Sequence, residues 1–212
     1  MGTTIRVLCA LLPLFALPSP ATADDAKPLT TILLVAKPEL RDPNFQDSVV
    51  LVMNNVGPAP AGIIVNRPTS IPVARLFADM DGLAHLDDKV YFGGPVQPTL
   101  VSFLVRTNTA PADAKKVLDG VYLSTNRDLL RELLGRDKPM EGLRIVVGYS
   151  GWAPGQLEAE IARGDGTLAP ADAATIFDRK SERPWPDVPT SAGKAAALHD
   201  RAGVVGPVNR RV

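Results

Sequence analysis

The sequence predicts an α+β domain, and three observations carry that prediction. Short runs rich in β-branched residues, each closed by turn formers, fill most of the stretch from Thr30 to Val105. The Pro/Gly-rich linker "NVGPAP" joins two of these runs closely enough that they should pair antiparallel. Apolar residues spaced three and four apart mark helices, chiefly in the second half of the chain.

Taken in order, "TILLVAK" (31–37), "SVVLVMN" (48–54) and "AGIIVN" (61–66) read as strands, the last ending at Arg67-Pro68. "PVARLFADM" (72–80) carries Val73, Leu76, Phe77 and Met80 on one face, with Pro72 suited to a first helical position, so it reads as a helix lying on the sheet. "KVYF" (89–92) and "TLVSFLVRT" (99–107) return to strand around the bend "GGPVQP". "PADAKKVLDG" (111–120) is helical in composition but cut short by Gly120, and "VYLS" (121–124) reads as a strand. Thr125 or Asn126 caps the helix "RDLLRELL" (127–134), with Asp128 in the first turn, where the helix dipole favours an acid. "LRIVVGYS" (143–150) is the most apolar strand of the second half and is expected in the middle of the sheet. In "GQLEAEIAR" (155–163) Leu157 and Ile161 face inward, Gln156 and Glu160 share another face, and Glu158 faces solvent or the sheet edge. "PADAATIF" (170–177) repeats the proline-first pattern. Beyond Arg183 the chain turns proline-rich, then alanine- and glycine-rich, as a loosely packed tail would.

The organisation expected is a signal peptide over 1–23, one domain over 24–190 and a tail over 191–212. Arg6 supplies a positive start, "VLCALLPLFAL" (7–17) an apolar core, and "PSPATA" (18–23) the small-residue end that places cleavage before Asp24. The apolar run is shorter than the roughly 20 residues of a spanning helix, so no membrane span is expected after cleavage. The product is read as periplasmic or otherwise exported; the alternative is a cytoplasmic protein with a hydrophobic extension. The single cysteine, Cys9, falls inside the apolar core, so cleavage excludes disulfides, thiol catalysis and cysteine-based metal sites. Cleavage also removes Arg6 from 23 basic residues while leaving all 23 acids, for a net charge of −1. Such a balance exerts no long-range pull on nucleic acid or anionic lipid, and no nucleic-acid partner is expected.

Several motifs invite chemistry. "GYSGW" (148–152) begins like a nucleophile elbow, but Trp152 stands where the second glycine belongs, and the only histidines for a triad are His85 and His199. Gly93-Gly94 lacks the helix and the Lys-Ser/Thr pair of a phosphate loop, and reads as a tight turn. Asp79, Asp81, Asp87 and Asp88 around His85 miss the spacing of a calcium loop and read as a solvated acidic loop, so no metal or cofactor is expected. Asn66-Arg67-Pro68 leaves the sheet with a guanidinium that either grips an anion or bonds loop carbonyls; the second is preferred because polar residues at strand ends usually satisfy backbone groups. Trp152 is read as the plug of a tight corner permitted by Gly148, Gly151 and Gly155, its indole N–H bonded to Gln156 or Glu158. The functional alternative has Trp152, Glu158, Arg67 and Asp128 converging on a pocket.

Five segments in register, "LLVAKPELRDPNFQDSVVLVM" (33–53), "GIIVNRP" (62–68), "YFGGPV" (91–96), "STNRDLLREL" (124–133) and "GYSGWAPGQLEAEI" (148–161), resemble the bacterial YqgE/AlgH family over about residues 31–187. The resemblance implies a mixed, largely antiparallel sheet bent into a partly closed barrel with helices packed outside. It implies no particular reaction, and it implies a cytosolic setting from which the signal segment departs. Two further departures are Asn54-Asn55, where the family usually has a Glu-His pair, and Gly166 after Asp165, where it usually has tryptophan. The expected function is that of an exported, non-enzymatic binding or accessory protein with an unidentified small-molecule or protein partner. A hydrolase using Ser150 or paired carboxylates such as Glu158 and Glu160 is the alternative, and a transcriptional regulator the third option.

Overall fold

The computed structural model describes residues 31–80 and 82–178. The expected signal segment, the expected tail and Asp81 of the acidic loop lie outside those residues.

The β-branched runs form the first three strands. β1 (Thr31–Ala36) pairs antiparallel with β2 (Val49–Met53). β2 pairs antiparallel with β3 (Ala61–Ile64) across the Pro/Gly linker, as the sequence predicts. All of β2 is buried. Val49, Leu51 and Met53 enter one core and Val50 and Val52 another, because successive side chains of a strand point to opposite faces.

The next segment departs from expectation. β4 (Pro68–Pro72) pairs with β5 (Lys89–Phe92), and the helix expected over 72–80 shrinks to the single turn α1 (Val73–Leu76). Pro72 is its N-cap, not its first residue. Val73 and Phe77 are both buried, so one turn already satisfies the apolar spacing, and the chain then bends, Met80 N–H donating to the Phe77 carbonyl at 2.9 Å.

β6 (Val96–Arg106) is followed by a hairpin of β7 (Ala114–Leu118) and β8 (Val121–Ser124). The helical composition of 111–120 is thus overruled: Val117 is fully buried in the sheet, and Gly120, at φ +70°, turns the chain tightly. Asn126, rather than Thr125, caps α2 (Arg127–Leu134), its Oδ1 accepting from the N–H groups of Asp128 (2.9 Å) and Leu129 (3.1 Å). β9 (Leu143–Gly151), α3 (Gln156–Arg163), β10 (Gly166–Pro170) and α4 (Ala173–Phe177) complete the described chain. Pro170 ends β10 and Asp172 caps α4, so the proline-first reading of that helix does not hold.

The strands form one sheet in the order β10-β1-β2-β3-β9-β6-β8-β7, with β5 attached to β9 as the parallel pair and β4 to β5. β9 is central, pairing with β3, β5 and β6. The sheet curls into a half-barrel, and side chains tie its β7 edge back toward the start. Thr31 Oγ1 donates to the Val117 carbonyl at 2.6 Å, Asn55 Nδ2 to Lys116 at 3.0 Å, and Lys115 Nζ to Val56 at 3.1 Å.

Three cores result. In the first, Leu51, Val65, Leu104 and Val146 meet Ile176 of α4. The second lies where α1 and α2 pack on β5, β6 and β9. The third lies where Trp152, just past β9, and Leu157 on α3 cover Val50, Val52 and Ile64.

Candidate functional site

The corner at 148–152 is shaped by close backbone approach. Gly148 sits at φ +72° where β9 leaves β5 and turns toward β3, and a Cβ there would lie 2.3 Å from the Gly94 carbonyl oxygen. A Cβ on Gly93 would likewise lie 2.3 Å from the Gly148 oxygen. The two glycine segments are each other's reason: only bare backbone lets β5 and β9 touch at this point. Gly93-Gly94 is therefore a crossing as well as a bend. Ser150 is enclosed in it, 1% exposed, and its Oγ donates to the Gly93 carbonyl at 3.4 Å.

Past the corner, Trp152 is 7% exposed and its ring lies on Gly62, where a Cβ would come within 2.9 Å of the indole. Its Nε1–H donates to Glu160 Oε2 at 2.8 Å, and Gln156 Nε2 donates to Glu160 Oε1 at 2.9 Å. The partner is thus Glu160, one helical turn beyond Gln156, and not Gln156 or Glu158 as the sequence suggested. Residues four apart share a helix face and Glu158 does not lie on it; it is exposed.

This face of α3 forms one wall of a cleft of about 280 Å³. Leu34, Val50, Phe45, Trp152 and Ile161 provide its apolar lining, and Asp42, Gln156, Glu160, Arg163 and Asp165 its polar groups. Ser48 also lines it; it is 2% exposed, and its Oγ has no hydrogen-bond partner in the protein. Arg163 donates twice to Asp165 Oδ2, at 3.1 and 2.8 Å, so that acid is compensated by a cation. Glu160 is held only by neutral donors.

The opposite wall is the segment between β1 and β2, kept in place by two expected site residues that do not themselves line the cleft. Arg67 donates to the carbonyls of Asn44 (2.7 Å) and Gln46 (2.6 Å), and its guanidinium lies over the Phe92 ring. Asn66 accepts from Val49 N–H at 2.8 Å and donates to the Asp47 carbonyl at 2.9 Å. Of the residues expected at a pocket, Trp152 and Gln156 line this cleft, Asn66 and Arg67 buttress it, and Gly93 and Gly94 support its corner from behind. Thr125 and Asp128 are exposed at the start of α2, which packs on the second core, away from the cleft.

Two features escaped the sequence reading. Arg144 on β9 is 5% exposed, bonded through Nη1–H to the Val65 carbonyl and stacked over Tyr91 at 4.3 Å. Burial pulls its guanidinium below the ordinary arginine value, partly offset by Tyr91. The second is the role of Asn55, which bonds the β7 edge at the barrel seam in place of the acid–base pair that the family resemblance leads one to expect. Elsewhere Asp79 of the acidic loop pairs with Arg131. Among the described residues, no three His, Cys, Asp or Glu side chains are grouped to hold a metal ion, and no helix is long and apolar enough to cross a membrane.

Comparison with known proteins agrees with this architecture. A UPF0301 protein of Methylococcus capsulatus is 36% identical over 165 residues, covering 76% of this chain and 87% of its own. Another, of Xanthomonas campestris, is 35% identical over 173 residues, covering 79% and 89%. The solution structure of the AlgH protein of Pseudomonas aeruginosa matches with a TM-score of 0.60 at 28% identity, over 87% of this chain and 94% of that one. A crystal structure of a Corynebacterium diphtheriae protein shares the fold at a TM-score of 0.59 and 24% identity, over 78% and 88%. A family model described as AlgH-like matches residues 33–197, and with these relatives it establishes that the chain belongs to the AlgH-like family.

Proposed function

We propose that this chain is an exported binding or accessory protein that takes a small ligand in the cleft between α3 and the segment joining β1 to β2, and carries out no covalent step there. The observation that supports this reading is the division of labour at residues 148–160. The one serine in an elbow-like context is enclosed and bonded to a carbonyl, while the adjacent Trp152, Gln156 and Glu160 form the wall of a concave, mainly apolar cleft with a few placed polar groups. Sites of that composition are where small molecules usually bind. The export part rests on the three-part segment over 1–23 and on the absence of cysteine from the sequence after it.

A thermal-shift survey with periplasmic metabolites and cell-wall fragments tests the binding reading. A ligand at a hundred times its Kd contributes about 2.7 kcal/mol, or roughly 5–10 °C for a domain of this size. Ser48→Leu, which fills the cleft, should abolish the shift; a shift that survives it refutes the site. Export is tested separately by sequencing the N-terminus of the expressed product: Asp24 is expected, and an intact Met1 start refutes it.

A further inference from the structure

We infer that the cleft selects an organic monocation, an ammonium or guanidinium carried on a short apolar stem, with Glu160 as the counter-charge. The inference rests on the binding reading above and names the ligand class for the same site.

The charges of the cleft lead to this class. Asp165 is occupied by Arg163, and Asp42 accepts the N–H of Asn44 at 2.8 Å within an exposed turn. Glu160 differs from the exposed Asp42 in being half-buried and fixed at both oxygens, Trp152 and Gln156 each donating one neutral hydrogen bond to a different carboxylate oxygen. Those bonds fix the orientation of the carboxylate and leave its charge uncompensated, while each oxygen retains acceptor capacity. A flat, rigidly presented carboxylate beside an apolar wall suits a guanidinium fork or an ammonium far better than an anion, which it would repel.

Ser48 is the independent sign of a ligand. Ser48 lines the cleft, and its hydroxyl is buried and bonds to no protein group, whereas buried hydroxyls ordinarily find a partner. A hydroxyl can donate and accept, so it suits a polar atom on the stem of the ligand. The cleft, of about 280 Å³, has room for an arginine-like or lysine-like side chain. Such a cation can be a free small molecule or a side chain of a protein partner; the chemistry at Glu160 is the same.

The test is a titration of the full chain expressed without residues 1–23, followed by the indole N–H resonance of Trp152 and the backbone amides of the cleft, with Trp185→Phe used to assign the indole. n-Butylguanidinium is compared with n-butylurea, its neutral isostere. The cation should perturb Trp152 and its neighbours and bind at least about tenfold more tightly than the urea, the factor a charge-assisted bond contributes over a neutral one. Glu160→Gln, which keeps an acceptor for the indole, should erase that difference while leaving the melting temperature within a few degrees. A urea that binds equally well, or a Glu160→Gln protein that still prefers the cation, overturns the ligand class and leaves the cleft standing as a site. Perturbations confined to residues outside the cleft, or none with either probe, overturn both. N-Acetyl-arginine amide and an arginine within a short peptide, run in parallel, separate the sources: tighter binding of the peptide points to a protein partner, tighter binding of the free compound to a metabolite, and either upholds the class.

Discussion

Gly148→Ala is the substitution that most sharply examines the claim that this corner exists for close packing. Two costs combine. Holding a non-glycine residue at φ +72° costs about 1–2 kcal/mol, the left-handed penalty for an L-residue. The new Cβ would also stand 2.3 Å from the Gly94 carbonyl oxygen, well inside contact distance, so β5 and β9 must separate where they pair in parallel. Overpacking of that kind costs about 1–3 kcal/mol. The expected loss is therefore about 2–5 kcal/mol, a large part of the roughly 5–15 kcal/mol typical of a whole domain. Gly155→Ala is the matched control: φ is +79°, but nothing lies within 4 Å of the added methyl, so only the first cost applies. Urea unfolding followed by circular dichroism reads both, with the midpoint falling further for Gly148→Ala at an unchanged slope. Equal shifts for the two variants would refute the reasoning, because the crossing of β5 and β9 would then impose no steric demand of its own.

Three further outcomes are expected. Ser48→Ala should leave the ligand-free protein as stable or up to about 1–3 kcal/mol more stable, because it removes a buried hydroxyl without a protein partner, yet weaken ligand binding; a destabilised variant by the same urea assay would contradict this. Ser150→Ala should cost less than about 1 kcal/mol and leave ligand-induced stabilisation intact, since it deletes one long hydrogen bond to Gly93; loss of binding in the thermal-shift assay would count against the enclosed role. Arg106, bonded through both Nη atoms to Asp178, holds that carboxyl below the ordinary range. The stabilisation from this pair is thus fully present above about pH 3.9, the value of the unfolded carboxyl, and is lost as pH falls through the lower folded value. Asp178→Asn should flatten the acid limb of a stability-versus-pH curve, and an unchanged limb would show that the pair contributes nothing measurable.

Much of the fold is legible where pattern and burial coincide. β2 is a continuous apolar run buried on both faces, β9 is largely apolar and buried apart from its end, and α2 carries a capping asparagine just ahead of its first turn. The failures have physical causes. β7 reads as helix because Ala and Lys favour helices intrinsically, although Asp119-Gly120 is a two-residue hairpin signal that could have revealed the strand pair. α1 is short because a single turn buries what the spacing offered. At the site, Trp152, Gln156 and Glu160 recur every four residues, so that half of the cleft is visible in the sequence once the indole is allowed to reach two turns along. The other half is not visible: the segment from Leu40 to Ser48 has no periodicity, and its position is fixed by Asn66 and Arg67, some twenty residues distant in sequence.

The central claim, that the surface beside Trp152 receives a ligand and Ser150 does not act on one, is tested most directly by a crystal structure of the chain with whichever compound stabilises it most. The account predicts electron density between Trp152, Glu160 and Ser48, with the compound chemically unchanged. Density at another surface, or a compound joined to or cleaved beside Ser150, would contradict it.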